Sequence, residues 1–354
     1  MKLPSINIVF STKAASTIAR SEKGVVALVL RDVNANGGHT LTSSTQIPES
    51  LGAENKAYIE RAFTGYINPP RKVIVYVLPA DAANLTDALT YMETQTFDYL
   101  AGPQDITQEE CTAIVNWVKE QRASGFTPKA VLPNTPADSE AIVNFTTEGI
   151  TDGTKEYTAA KYCSRIAGII AGTPMTISCT YAALSEVSDV DRLTKDEMDD
   201  AIDSGEFIIF YDGEKVKVGR GVNSLQTTTQ DKGEAFKKIK IVEAVDMIRK
   251  DIKETVEDNY IGKYANSYDN KCLLISAIKG YLAGLEDSGI LERETSEVGI
   301  DLGEQESYLL SIGKDISDMS EEEIKTASTA DKIFLKAKIT ILDAIEDINL
   351  NIAI

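Results

Sequence analysis

The sequence predicts a mixed α/β (α+β) protein: a mostly parallel α/β sheet domain first, a second α/β domain after it, and an extended strand at each end. Three observations carry this. The continuous apolar run at residues 24–30 suits a strand covered on both faces, and residues 72–78 read as a second buried strand. Stretches of helical periodicity separate and follow them, the βαβ rhythm of a parallel sheet. Isoleucine-rich alternation then marks both ends of the chain.

The elements follow in order. Ile6, Ile8 and Phe10 alternate with Asn7 and Val9, a short strand near the tip of an arm that runs to about residue 20. After the strand at 24–30, residues 50–65 read as a helix, 72–78 as a second buried strand, and 84–100 as a helix closed by Gly102-Pro103. Thr107 opens another helix, with Glu109 and Glu110 in its first turn, that runs to about Arg122. Residues 129–132 form a third strand and 155–171 a helix. A second unit is expected from about residue 179. There Thr194 and Glu197 have the spacing of a capping box. Residues 206–211 and 215–218 read as a hairpin turned at Asp212-Gly213. Residues 223–232 are a polar loop, and 236–257 the clearest amphipathic helix, with Ile239, Val242, Val245, Ile248, Ile252 and Val256 at spacings of three and four. A helix at 270–287 ends at Gly289, and 292–330 is polar and acidic. Residues 333–341 alternate as a strand with one wet face; Asp343-Ala-Ile-Glu-Asp347 then separates them from a last alternation of Ile348, Leu350, Ile352 and Ile354. The expected domains are therefore 1–20, 21–178, 179–347 and 348–354.

Composition narrows the function classes. The chain has 354 residues, 43% hydrophobic and 26% charged, enough for a sizeable core in about two domains. Its 36 Lys and Arg against 55 Asp and Glu give a net charge of −19, which disfavours non-specific attraction to nucleic acid. Such a charge keeps free subunits apart, so specific contacts must overcome it in any assembly. No apolar run approaches the roughly 20 residues of a membrane span, and nothing at the amino end has the pattern of a signal peptide. Cys111, Cys163, Cys179 and Cys272 are scattered, without metal-ligand spacing, and read as reduced thiols of a protein folded in the cytoplasm.

An enzyme finds little support. His39 is the only histidine, no GxSxG, HExxH or GxxxxGK[ST] is present, and Gly219-Arg-Gly221 reads as a turn. Asp189, Asp191, Asp196, Asp199 and Asp200 read as a solvated acidic loop and helix start rather than a cation site. No catalytic residue, metal or cofactor is assigned.

The ends pose the sharper question. A terminal strand must pair its backbone groups or leave an exposed edge. Pairing within its own domain and addition to a sheet of a neighbouring copy both satisfy that need, and alternation alone does not choose. The second arrangement gives heterologous contacts, which generate rings and filaments.

At Gly219-Arg-Gly-Val-Asn-Ser-Leu225, Thr227-Thr-Thr229 and Phe236-Lys-Lys-Ile-Lys-Ile-Val-Glu-Ala-Val-Asp-Met-Ile248 the sequence resembles phage tail sheath proteins. Residues 258–270 and 334–347 extend the likeness. The opening Leu3-Pro-Ser-Ile-Asn-Ile-Val-Phe10 is similar to the amino arm of the short subfamily found in defective prophages and R-type bacteriocins. The resemblance implies a sheath core domain completed by extended arms, and stacked six-fold rings around a tail tube. It further implies contraction on a baseplate trigger, with baseplate and tail terminator proteins as further partners. The particle would assemble in the bacterial cytoplasm and end as a phage tail or released bacteriocin. On this basis Ile6, Ile8, Phe10, Ile348, Leu350, Ile352 and Ile354 are the candidates for strand exchange. Lys237, Lys238, Lys240, Arg249, Lys250 and Lys253 are the candidates for contact with the tube. A sheath-like subunit of a non-phage injection or secretion machine would share fold and mechanism.

Overall fold

The computed structural model describes residues 18, 20, 23–34, 37–230 and 232–353. The expected amino-terminal strand, with Ile6, Ile8 and Phe10, lies outside them, as does Ile354.

Contacts divide the chain into two compact units, one of Glu22–Met247 with Asp343–Ile354, the other containing Ile248–Leu342. The first unit is built on the strands β1 (Val25–Asp32), β2 (Gly37–Leu41), β3 (Lys72–Pro79), β4 (Tyr99–Ala101), β5 (Lys129–Pro133), β6 (Ile142–Phe145), β7 (Ile150–Thr151), β8 (Glu156–Tyr157), β9 (Ala183–Leu184), β10 (Glu206–Phe207), β11 (Ile209–Tyr211) and β12 (Val216–Val218). Its helices are α1 (Ala53–Thr64), α2 (Thr86–Glu93), α3 (Gln108–Ala123), α4 (Ala159–Ala171) and α5 (Lys195–Asp203). Seven strands form one sheet in the order β10-β6-β5-β4-β1-β3-β2, parallel throughout except for β2 at one edge. The alternation of β1 shows how it is covered. Val26, Leu28 and Leu30 enter a core with α1 and α4 residues such as Tyr58, Ile59, Ile166 and Ile170. Val25, Ala27 and Val29 enter another with Leu89, Met92, Ile114 and Val118 of α2 and α3. Burial on both faces is what an unbroken apolar run requires. Helix α4 packs close on α1, because a Cβ on Gly168 would stand 2.2 Å from the Ala62 carbonyl oxygen.

The second unit contains α7 (Tyr268–Asp287), β13 (Glu297–Ile300), α8 (Leu302–Ser311), α9 (Glu321–Thr326) and β14 (Leu335–Lys338). Helix α6 (Ile239–Asn259) begins in the first unit and ends in the second. Strands β13 and β14 pair only with each other, antiparallel, among the described residues. A small core of Leu309, Ile324 and Ala327 joins α8 to α9.

Several expectations are corrected. The helix expected over 84–100 stops at Glu93, and Tyr99–Ala101 is an inner strand between β1 and β5, where partners on both sides override helical propensity. The hairpin expected over 206–218 is split: β10 joins β6 in the large sheet, and only β11 turns back onto β12. Its turn does use Asp212, whose Oδ1 accepts the Glu214 and Lys215 N–H groups. Helix α4 starts at Ala159, because Glu156 and Tyr157 pair with β7. Helix α6 starts at Ile239, after a single 3-10 turn over Glu234–Lys237. The polar segment 292–330 holds β13, α8 and α9. The expected strand over 333–341 is regular only over Leu335–Lys338, with an isolated bridge from Ile341 to Leu291. The division between units falls after Met247 rather than near 178, because β10 is a strand of the large sheet and β9 and β12 pack into its core.

Candidate functional site

The chain leaves the second unit at Leu342, whose N–H donates to the Ile290 carbonyl at 2.9 Å. It then meets a cradle on the first unit. The floor is the 178–180 loop, where Thr180 N–H donates to Ser178 Oγ at 3.1 Å. Gly219-Arg-Gly221 runs across this loop. Gly221 N–H donates to Thr180 Oγ1 at 3.0 Å, and a Cβ on Gly221 would stand 3.0 Å from both Cys179 Sγ and Ser178 Oγ. A Cβ on Gly219 would crowd Ile208 at 2.9 Å. The two glycines thus permit a close approach that presents Arg220 between them.

The cradle holds Asp343-Ala-Ile-Glu-Asp347. Arg220 Nη2 donates to Asp347 Oδ2 at 2.6 Å, and its Nε lies 3.2 Å from Glu346 Oε2. Lys238 pairs with Asp343 and stands 3.5 Å from Glu346 Oε2. The Thr180 hydroxyl donates to Glu346 Oε1 at 2.6 Å. The Glu346 side chain is 6% exposed, so this is a seated carboxylate rather than a surface pair. The hydrogen bond to Asp347 and the nearby carboxylates raise Arg220 above its ordinary value. Burial lowers Lys238, but Asp343 and Glu346 more than offset it and leave the ammonium raised.

Beyond the cradle the chain is bare. Ile348 is 80% exposed, and Leu350 and Ile352 are each 76%. Among the described residues, 348–353 form no strand and no backbone hydrogen bond. Every other side chain is large and apolar, a pattern with no reward in water. This chain does not supply the partner within its described residues.

The candidate tube-contact residues are not brought together. Lys237 pairs with Glu234 at 2.9 Å in the 3-10 turn, and Lys238 belongs to the cradle. Lys240 is 6% exposed, and burial lowers its pKa. Arg249 is exposed, while Lys250 and Lys253 lie 3.9 Å and 4.0 Å from Glu254 and Glu257.

Sequence reasoning missed a buried charge network that seats the start of α6 on the large sheet. Lys129 of β5 lies 3.5 Å from Glu243 and 3.3 Å from Asp246, all three nearly inaccessible. Lys23 reaches Glu243 at 3.0 Å, and the Tyr99 hydroxyl donates to it. Arg122 grips Asp246 at 2.9 Å and 3.0 Å and continues to Glu140, which Lys232 meets at 2.7 Å. Burial alone would raise Glu243, yet Lys129, Lys23 and the Tyr99 hydroxyl bring it down to about 2. Burial likewise opposes the Lys129 charge, and Glu243 and Asp246 more than restore it. The network was invisible because its members are an alternating-face strand residue and a helix pair more than a hundred positions apart.

Groups that would bear on catalysis have structural surroundings. Cys111, Cys163 and Cys179 are buried, and burial pushes the Cys179 thiol up to about 12. Asp189 pairs with Arg192 and Asp199 with Lys195. Thr194 and Glu197 close the expected capping box of α5.

The comparisons with known proteins agree with one another. The family model of the phage tail sheath protein central domain matches residues 79–224, and that of the phage tail sheath C-terminal domain matches 231–354. The tail sheath protein of Clostridium phage phiCD119 is 41% identical over 356 residues, covering 99% of both chains. A phage-like element PBSX protein of Bacillus subtilis is 29% identical over 219 residues, covering 58% of this chain and 47% of its own. Among solved structures, the contracted helical sheath of the anti-feeding prophage superposes with a TM-score of 0.73 at 17% identity, over 100% of this chain and 99% of that one. A sheath tail protein of Desulfitobacterium hafniense gives 0.69 at 19% identity, over 83% and 94%.

Proposed function

We propose that this chain, which belongs to the phage tail sheath protein family and is a contractile sheath subunit, polymerises by lending its carboxyl-terminal strand to a neighbouring copy. The observation that carries the reading is the bare alternation of Ile348, Leu350 and Ile352 beyond a seated root. Extended segments of this kind add to sheet edges, where backbone bonds give affinity and alternate side chains give specificity. Strands β13 and β14 supply a fitting acceptor, since a two-stranded sheet is marginal alone and both outer edges are unpaired among the described residues. Ile6, Ile8, Phe10 and Ile354 are assigned to the same exchange on the resemblance to sheath arms, with 1–20 and 348–354 as the linking arms.

Such head-to-tail links generate closed rings or helical stacks. The family membership supports stacked six-membered rings around a tail tube, ended by baseplate and terminator proteins, with assembly in the bacterial cytoplasm and a structural rather than catalytic role. Lys237, Arg249, Lys250 and Lys253, the basic candidates neither buried nor in the cradle, are proposed for contact with an acidic stripe on the tube. Each exposed pair contributes about 0–1 kcal/mol, weak enough to be released on contraction. The full-length likeness to an anti-feeding prophage sheath equally accommodates a non-phage injection machine. Negative-stain microscopy of concentrated protein tests the reading: hollow striated tubes are expected, and strictly monomeric protein under every condition overturns it.

A further inference from the structure

We infer that Arg220, Lys238 and Thr180 are positioning residues that fix the root of the carboxyl arm and thereby set how far the arm reaches. The inference rests on the strand-lending reading and adds a mechanism for its range. Three acidic side chains within Asp343-Ala-Ile-Glu-Asp347 meet two cations and a hydroxyl on the body of the subunit. Between these grips Ile345 points away and is 86% exposed, so the segment is held by its charges and not by apolar burial. A contact of that composition closes without a hydrophobic core and opens without exposing one.

Its geometric consequence is large. With the cradle closed, the free arm starts at Ile348, and about seven residues at about 3.3 Å each span about 23 Å. With it open, the chain is free from Asp343, just after Leu342 bonds to Ile290, and about twelve residues span about 40 Å. The cradle therefore selects between a short tether that reaches only an adjacent edge and a long one that tolerates displacement. A subunit that must keep its neighbour while sliding past it gains such slack without losing the link. The Gly219-Arg-Gly221 signature fits this, since a Cβ at either flanking position would crowd Ile208 or the 178–180 loop at 2.9–3.0 Å.

The test reads the root in the free, full-length chain, separately from polymerisation. Glutamyl endoproteinase cutting after Glu346 releases residues 347–354, which intact mass detects. Cleavage of the native protein is expected to be at least tenfold slower than that of Arg220→Glu/Lys238→Glu, and the double exchange Arg220→Glu/Asp347→Arg restores much of the protection. Fluorescence of Trp117, on α3, confirms that the variants are folded. Where a charge reversal fails to fold, the native protein decides: raising salt from about 0.05 M to about 1 M accelerates the cut severalfold relative to a denatured control. Equal cleavage of native and reversed protein, or a rate indifferent to salt, overturns the cradle. In neither case does the strand-lending reading fall, because that depends on whether tubes form.

Discussion

Replacing Lys129 by Met isolates the energetic centre of the first unit. The ammonium lies 3.5 Å from Glu243 and 3.3 Å from Asp246, with about 5% of each side chain exposed. Removing one partner of a buried ion pair costs about 3–5 kcal/mol, because the charge left behind stays desolvated. Here each carboxylate keeps a cation, Lys23 at 3.0 Å and Arg122 at 2.9 Å, so the lower end, about 3 kcal/mol, is expected. Against the burial that would raise it, Lys129, Lys23 and the Tyr99 hydroxyl together bring Glu243 from its ordinary 4.5 down to about 2, which stabilises the folded state. The folded value is depressed, so this stability is present above pH 4.5 and is lost as pH falls toward 2. Without Lys129 the folded carboxyl rises toward its unfolded value, so less stability is lost as pH falls from 4.5 and the acid limb becomes shallower. Urea unfolding followed by Trp117, the single tryptophan and a residue of the first unit, measures both effects. Adding Glu243→Gln should recover part of the loss, since the two sites share one network. A Lys129→Met loss below about 1 kcal/mol, with an unchanged acid limb, would refute the reasoning.

Further outcomes are specific. Gly168→Ala drives a Cβ to 2.2 Å from the Ala62 carbonyl oxygen and should cost about 1–3 kcal/mol by prising α1 from α4, read by the same urea transition. Thr194→Ala removes the capping box of α5 and should cost about 1 kcal/mol, while an equal loss in Thr194→Ser would deny that the cap is responsible. Reversing Arg249 and Lys253 should weaken co-sedimentation with tube protein and leave self-assembly intact; unchanged tube binding would remove these residues from the interface.

What was legible in the sequence follows the range of the forces involved. Strands β1 and β3 are each eight residues long and apolar on both faces, so their burial is written locally. The capping box of α5 spans four residues and was equally plain, whereas at α3 only the acidic first turn was read and not the box that Thr107 and Glu110 close. Strands β4 and β10, three and two residues long, exist only because β1, β5 and β6 offer them backbone partners, and no short window records that. The arm shows both sides of the limit. Its alternation marked it as a strand in want of a partner, but Asp343-Ala-Ile-Glu-Asp347 read as a mere separator. Its purpose emerges only where Arg220, more than a hundred residues earlier, is folded against it. Helical periodicity likewise does not show that Lys238 pairs with Asp343 of the arm or that Lys240 is buried.

Truncation before Ile348 tests the central claim most directly. The segment removed makes no strand or backbone hydrogen bond among the described residues, so the shortened subunit should unfold at the same urea concentration as the full chain. Sedimentation of the two proteins at matched concentration should then separate them: pelleted tubes from the full chain, and soluble, folded subunits from the truncated one. Tubes of normal yield from the truncated protein would show that this strand does not join the copies.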